Sequence, residues 1–113
     1  MGNKVSIILS LYRNDKLSFV RQSIESLLNQ TYREFDLHIQ YDGPINDDID
    51  EYLHRFKDSR IVIHRRNVNK GLACSLNDLL CIVLLKGYDF IVRMDADDIS
   101  MPERIERQLA YME

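Results

Sequence analysis

Apolar positions along the chain follow two spacings that alternate. Residues 5–11, VSIILSL, form a short, nearly continuous apolar run, the pattern of a strand covered on both faces. Leu17, Val20, Ile24, Leu27 and Leu28 then recur at helical spacing, with Asn14 and Asp15 offering N-cap side chains and Gln30-Thr31 closing the helix. Residues 35–41, FDLHIQY, read as a second strand, punctuated by Asp42-Gly43-Pro44. Ile49, Tyr52, Leu53 and Phe56 predict a second amphipathic helix, and its acidic start, Asp47, Asp48, Asp50 and Glu51, complements the helix dipole. Residues 61–65, IVIHR, make a third strand. The polar loop RNVNKG leads into a helix carrying Leu72, Leu76, Leu79, Leu80 and Val83, ended by Gly87. Residues 89–94, DFIVRM, are the fourth strand, and Pro102 fits the first turn of a last helix with Ile105, Leu109 and Met112 on one face.

The order β-α-β-α-β-α-β-α predicts an α/β fold of three layers, α/β/α, around a mainly parallel open sheet. The 113 residues suit one domain, and the 45% hydrophobic fraction is ordinary for a globular protein. A net charge of −3 gives no general case for nucleic acid as a partner. No apolar run approaches the length of a transmembrane segment, and the N-terminus lacks the features of a signal peptide. Cys74 and Cys81 lie seven positions apart on the third helix, about 10 Å at helical rise and too far for a disulfide. They read as small buried residues of a reducing compartment. His38, His54 and His64 show no ligand spacing and read as structural or surface residues.

In open parallel sheets, ligands bind outside the carboxyl ends of the strands. The first strand ends at Ser10-Leu11-Tyr12, the second at Asp42, the third in Arg65, Arg66 and Lys70, and the fourth at Asp95-Ala96-Asp97-Asp98. An aromatic to pack on a base, an isolated acid, a basic loop and an acid cluster suit a metal-bound nucleoside diphosphate. Mg²⁺ or Mn²⁺ takes oxygen ligands and uses one or two carboxylates plus phosphates and water. Each residue also has a plainer reading: Asp42 starts a turn, Asp98 caps the last helix, Tyr12 is a core aromatic, and the basic loop is solvated. The pair Asp95 and Asp97 resists such a reading, because two acids spaced this way at a strand end can face one cavity, and a turn has no need of them.

Five segments, VSIILSLY, SLLNQTY at 26–32, YDG at 41–43, NKGLACSLN at 69–77 and RMDADDISMPERIERQ at 93–108, occur in an order that is specific in combination. On them the chain resembles, over nearly its whole length, the N-terminal, nucleotide-sugar-binding part of family 2 glycosyltransferases, which have the GT-A fold. The DGP and RMDADDISMPER forms are similar to bacterial enzymes of O-antigen, capsule and exopolysaccharide synthesis. The resemblance implies that Asp95 and Asp97 form the DXD motif, with Asp97 on a divalent cation (Mn²⁺ or Mg²⁺) and Asp95 on the ribose or a metal-bound water. It implies further that Asp42 hydrogen-bonds the base, that Ser10 and Tyr12 wall the nucleoside pocket, and that Lys70 reaches the base or diphosphate. Tyr32 falls in a turn, as a structural residue.

Two positions depart from the family pattern. Ser10-Leu11-Tyr12-Arg13 stands where the family often has Pro-Thr-Tyr-Asn, and Tyr41 replaces an acid before the retained Asp42. The acceptor-binding half, with the carboxylate that deprotonates the acceptor hydroxyl, is expected beyond Glu113, so residues 1–113 read as one half of a truncated GT-A domain. The implied reaction is inverting transfer of a sugar, UDP-linked in the family's commonest case, to a glycan or lipid-linked saccharide. The implied location is the cytoplasm, with lipid-linked acceptors bringing the enzyme to the inner face of the cytoplasmic membrane. A sheet edge or apolar patch left exposed offers a surface for a homodimer. Three other readings compete. A dinucleotide-dependent oxidoreductase needs a glycine-rich turn after the first strand, and SLYRND has none. A metal-dependent phosphotransferase or phosphatase would carry its DXD after the first strand. A non-catalytic nucleotide-binding or interaction module of the same fold would not need the intact acid pair.

Overall fold

The computed structural model describes residues 4–56, 58–96 and 100–112, with the side chains of Tyr111 and Met112 excepted. Asp97 and Asp98 therefore lie outside the described residues, as does the side-chain placement expected for Met112. Eight elements follow in chain order: β1 (Val5–Leu11), α1 (Leu17–Leu28), β2 (Phe35–Asp42), α2 (Asp47–Arg55), β3 (Ile61–Arg66), α3 (Leu72–Leu84), β4 (Phe90–Arg93) and α4 (Arg104–Met112). The strands form one sheet in the order β3-β2-β1-β4, and every pairing is parallel. Val5 lies level with Phe35 on one side and Phe90 on the other, while Leu37 lies level with Ile61. The chain therefore winds outward through β2 and β3, then crosses back to place β4 beside β1. The order reverses at β1, and the carboxyl ends of β1 and β4 flank the switch point where such sheets bind ligands.

Strand alternation divides the sheet into unlike faces. Val5, Ile7, Leu9 and Leu11 of β1, with Phe35, Leu37, Ile39 and Tyr41 of β2, pack against Val20, Ile24 and Leu27 of α1, Ile49 and Leu53 of α2, and Ile105 and Leu109 of α4 in one cluster. The opposite face is covered by α3, whose Leu79 and Val83 meet Ile8 in a smaller cluster. The expected three layers and parallel sheet are thus what the chain forms. α3 buries the line Ser75, Leu79 and Val83, one residue per turn toward the sheet.

Local details depart from expectation in three places. Asp15 does not cap α1: its carboxylate accepts the Tyr12 N–H at 2.8 Å, and Lys16 is the N-cap residue with no side-chain bond. The acid is drawn into the turn that ends β1 instead. Pro102 lies two residues before α4 rather than in its first turn, and its carbonyl accepts the Thr31 N–H at 2.7 Å. Cys74 is only half-buried and Cys81 is exposed, because both lie off the line that α3 turns to the sheet.

The α3 side of β2 is polar: Asp36, His38, Gln40 and Asp42 alternate with the apolar residues of the other face. His38, 1% exposed, stacks on His64 with Nδ1 2.9 Å from the His64 Nε2, and its Nε2 lies 2.9 Å from the Tyr88 hydroxyl. That hydroxyl donates to Asp36 at 2.6 Å, and the Lys4 ammonium sits over the Tyr88 ring. His38 and His64 are thus held in one hydrogen-bonded chain with Tyr88 and Asp36. Burial, followed by the neighbouring His64, lowers the His38 pKa from 6.5 to about 4, and burial together with Lys86 lowers His64 as well. The unfolded chain then takes up these protons first. Stability is complete above pH 6.5 and declines as pH falls toward 4, by about 2–3 kcal/mol for His38. Urea unfolding at pH 7 and pH 4.5 should show this loss in the wild type and a much flatter response in His38→Gln. Equal slopes in the two proteins would contradict it.

Candidate functional site

The carboxyl ends of β1, β2 and β4 open into a cavity of about 440 Å³ lined by Ser10, Tyr12, Asp42, Asn69, Leu72 and Asp95, among others. That volume lies within the range of small-molecule sites, roughly 300–1,000 Å³. Four of the six expected site residues, Ser10, Tyr12, Asp42 and Asp95, therefore meet at one cavity. Lys70 contributes its backbone N–H to Asp42 rather than a side chain to the wall, and Asp97 lies outside the described residues.

Asp42 is 3% exposed, and a buried carboxylate stays ionised only when its oxygens are satisfied. Oδ1 accepts from the Arg66 guanidinium and from the Lys70 N–H at 2.7 Å, and Oδ2 accepts the Gly71 N–H at 2.9 Å. Burial alone would raise this carboxyl, but the Lys70 N–H, Arg66 and the Gly71 N–H outweigh it and hold the group below the usual carboxylate range. Arg66 also pairs with Asp78, donates to Ser75 Oγ at 2.6 Å and donates to the Val68 carbonyl at 3.0 Å. It ties β2, the loop over residues 67–71 and α3 together. The bond to Asp42 raises the Arg66 pKa, against the opposing effect of its burial.

These contacts narrow the basic loop expected to meet a diphosphate. Arg66 is committed to Asp42 and Asp78, and Arg65 sits over the Tyr41 ring and pairs with Asp50. Among the described residues, Lys70 is the cation of that loop whose side chain is exposed without such a pair. Tyr41, where the family often has an acid, points to the opposite face of the sheet: it is 3% exposed and donates to Asp50 at 2.8 Å. Burial, then the Asp50 bond, push its hydroxyl well above the usual tyrosine range. A strand residue adjacent to Asp42 must face away from the cavity, which explains why an aromatic is tolerated there.

Tyr12 is 41% exposed, so it is a cavity-wall aromatic and not a core one. The Asp15 carboxylate on its N–H and the Asn46 amide, which donates to the carbonyls of Arg13 and Asp15 at 3.1 Å each, fix its turn. Neither Asp15 nor Asn46 could be assigned to the site from sequence, nor could Asn69; Arg66 was expected there as part of the basic loop, but not as the partner of Asp42. Asn46 meets partners 31 and 33 residues away and Arg66 one 24 residues away, while the roles of Asp15 and Asn69 depend on the path of a turn and a loop, and spacing carries no such signal.

Asp95 lies across the cavity from Asp42 and pairs with Arg93 at 3.4 Å, with roughly half of its side chain exposed. Its hard oxygens and open surroundings fit a Mg²⁺ or Mn²⁺ ion that brings water and phosphate as further ligands. The described residues contain no cluster of three His, Cys, Asp or Glu side chains able to cage a metal. No described helix is long and apolar enough to cross a membrane.

Gly43 makes the close approach of loop and strand possible. Its φ is +78°, and a Cβ there would lie 2.7 Å from the Asn69 backbone nitrogen. Gly87 also has positive φ, +74°, but with nothing within 4 Å of an added Cβ. Gly43→Ala should therefore cost about 2–3 kcal/mol and Gly87→Ala about 1 kcal/mol in chemical unfolding, the difference being the collision with Asn69.

A family model described as Glycosyl transferase family 2 matches residues 6–113. Among curated relatives, the putative glycosyltransferase EpsE of Bacillus subtilis is 36% identical, over 99% of this chain and 39% of its own length. The amylovoran biosynthesis glycosyltransferase AmsE of Erwinia amylovora is 35% identical, over 96% and 40% respectively. The O-antigen biosynthesis glycosyltransferase WbnJ of Escherichia coli is 37% identical, over 96% and 41%. The chain thus spans about two fifths of the length of these relatives. Among solved structures, the mannosyltransferase PcManGT from Pyrobaculum calidifontis, in complex with GDP-Man and Mn²⁺, superposes with a TM-score of 0.80 at 15% identity, over 96% of this chain and 32% of its own. S. aureus TarS 1-349 in complex with UDP-GlcNAc gives 0.79 at 18% identity, over 96% and 31%. These likenesses show the fold, GT-A, of which this chain forms a part.

Proposed function

This chain belongs to glycosyl transferase family 2, and from that premise we propose that it is the nucleotide-sugar-binding half of a sugar transferase using a UDP-linked donor. The observation that carries the reading is the meeting of Ser10, Tyr12, Asp42 and Asp95 around one cavity at the switch point of the sheet.

Asp42 supports the choice of base. A carboxylate has about four lone-pair positions, and three are taken by Arg66, the Lys70 N–H and the Gly71 N–H. The remaining position, on Oδ2, is an acceptor held ionised. It suits a base that presents an imide N–H, as uracil does. Cytosine and adenine present a ring acceptor at the corresponding edge and would leave the buried oxygen facing another lone pair. Thymine and guanine share the N–H, so the selection is by chemical class, and uridine is the member we propose. Tyr12 offers an exposed ring to the base, and Lys70 an ammonium to the diphosphate.

Asp95 and Asp97 would hold a divalent cation together, Asp97 as the direct ligand and Asp95 through the ribose or a bound water. When bound, such a cation supplies Lewis-acid neutralisation of the departing diphosphate. The base that activates the acceptor hydroxyl for a single inverting displacement lies, on this reading, in an acceptor-binding half outside residues 1–113. Relatives named for amylovoran and O-antigen synthesis support a surface-polysaccharide acceptor, saccharide or lipid-linked, and a lipid-linked one would draw the whole enzyme to the cytoplasmic membrane face.

Calorimetric titration of UDP into the chain with Mn²⁺, repeated with chelator and with Asp97→Asn, tests the site. Binding should weaken at least tenfold in both controls, and CDP should bind about tenfold or more weaker than UDP, the cost of one unsatisfied buried acceptor. A folded chain that binds UDP and CDP equally would overturn the choice of base, and one that binds neither with metal would overturn the reading in favour of a non-catalytic module. Robust metal-dependent sugar transfer by residues 1–113 alone would overturn the assignment of the base to another half.

A further inference from the structure

The segment SLLNQTY, residues 26–32, takes no part in the cavity, yet Ser26, Gln30 and Thr31 are bonded to residues 100–106, just beyond the acidic segment. The Ser23 hydroxyl, one turn earlier on α1, donates to the Asp95 carbonyl at 3.3 Å. The Ser26 hydroxyl donates to the Ser23 carbonyl at 2.7 Å and accepts the Ser100 N–H at 3.0 Å. Gln30 is 1% exposed: its amide nitrogen donates to the carbonyls of Ser26 at 3.2 Å and Met101 at 2.8 Å, and its oxygen accepts the Ile105 N–H at 3.1 Å. The Thr31 N–H donates to the Pro102 carbonyl at 2.7 Å, and its hydroxyl to the Glu106 carboxylate at 2.6 Å.

Ser23 and Ser26 lie three residues apart on one side of α1, and Gln30 follows in the turn just past the end of the helix. A row of apolar residues would suffice to dock α4. Side chains that bond backbone groups instead fix where the chain runs, because each bond holds one peptide group at one place. The bonded groups are the carbonyl of Asp95 itself, the first of the acids, and the backbone of residues 100–105 beyond them. Arg104 adds an anchor from within the later flank, donating to Ser100 Oγ at 3.0 Å and to the Arg93 carbonyl at 3.3 Å.

We propose that Ser23, Ser26, Gln30 and Thr31 are positioning residues: a polar clamp formed by α1 and the turn after it that fixes the chain at Asp95 and at residues 100–106, and so holds Asp95 in place at the cavity. The geometry of the clamp stands by itself, while its purpose rests on the nucleotide-and-cation reading above. The two are tested separately.

Amide hydrogen exchange by NMR on the chain reads the clamp directly. Ser26→Ala removes the acceptor for the Ser100 N–H with almost no change of volume, and exchange at Ser100 should rise about fivefold or more while β1 and β2 amides keep their rates. Ser26→Thr keeps the hydroxyl and should restore the wild-type rate. Metal-dependent UDP affinity should fall about fivefold in Ser26→Ala, with the bound fraction of Mn²⁺ followed by its electron paramagnetic resonance, while metal-free uridine binding is unchanged. Unchanged Ser100 exchange, or a rise spread evenly over the sheet, overturns the clamp. Faster Ser100 exchange with unaltered metal-dependent affinity overturns the positioning role and leaves a helix-docking contact. The Ser100 effect in Ser26→Ala together with a wild type that binds no nucleotide upholds the clamp and removes the nucleotide reading alone.

Discussion

Asp42 sits at the carboxyl end of β2, shielded from water, where an ionised side chain persists only because the rest of the edge supplies its hydrogen bonds. Those bonds come from the end of β3 and from the loop that follows it. Satisfying one carboxylate therefore folds the loop over residues 67–71 against the strand, brings Asn69 against Gly43, and starts α3 at Gly71. Arg66, paired on its other side with Asp78, locks the first turns of α3 to the same point. The floor and one wall of the cavity are consequences of neutralising a single buried charge. Breaking such a pair from one side typically costs about 3–5 kcal/mol, so the residue that shapes the site is also bound up with the stability of the domain.

The sheet carries two kinds of order. One face is an apolar layer under α1, α2 and α4, where packing is close and non-directional. The other face, under α3 alone, runs from the Asp36, Tyr88, His38 and His64 chain at one end to the Asp42 and Arg66 pair at the other. Hydrogen bonds are directional, and they specify which groups meet in a way that apolar burial does not. The site lies at the end of the face built from directional contacts, and the opposite face supplies the core that holds the strands level.

α1 serves both kinds of order at once. Its apolar row, Val20, Ile24 and Leu27, packs on the sheet, while Ser23 and Ser26, with Gln30 in the turn after the helix, take backbone groups at Asp95 and residues 100–105. One helix thus registers the end of β4 against β1 through the core and through hydrogen bonds. The chain belongs to glycosyl transferase family 2, and its likeness to solved structures shows the GT-A fold.

The element order, the parallel sheet and the carboxyl-edge set of Ser10, Tyr12, Asp42 and Asp95 were legible in the sequence, because hydrophobic periodicity and strand-end position are local properties that a parallel topology converts directly into place. Other features were decided only by the tertiary structure. Asp15 left its capping role for the Tyr12 N–H, Arg66 was drawn from the basic loop into the Asp42 pair, and the cysteines of α3 fell off its buried line. SLLNQTY became a set of partners for a segment some seventy positions away. In each case the sequence offered a donor or acceptor with several local uses, and which use prevailed depended on groups brought near only by folding, since a hydrogen bond is settled by distance and direction in space and leaves no period along the chain.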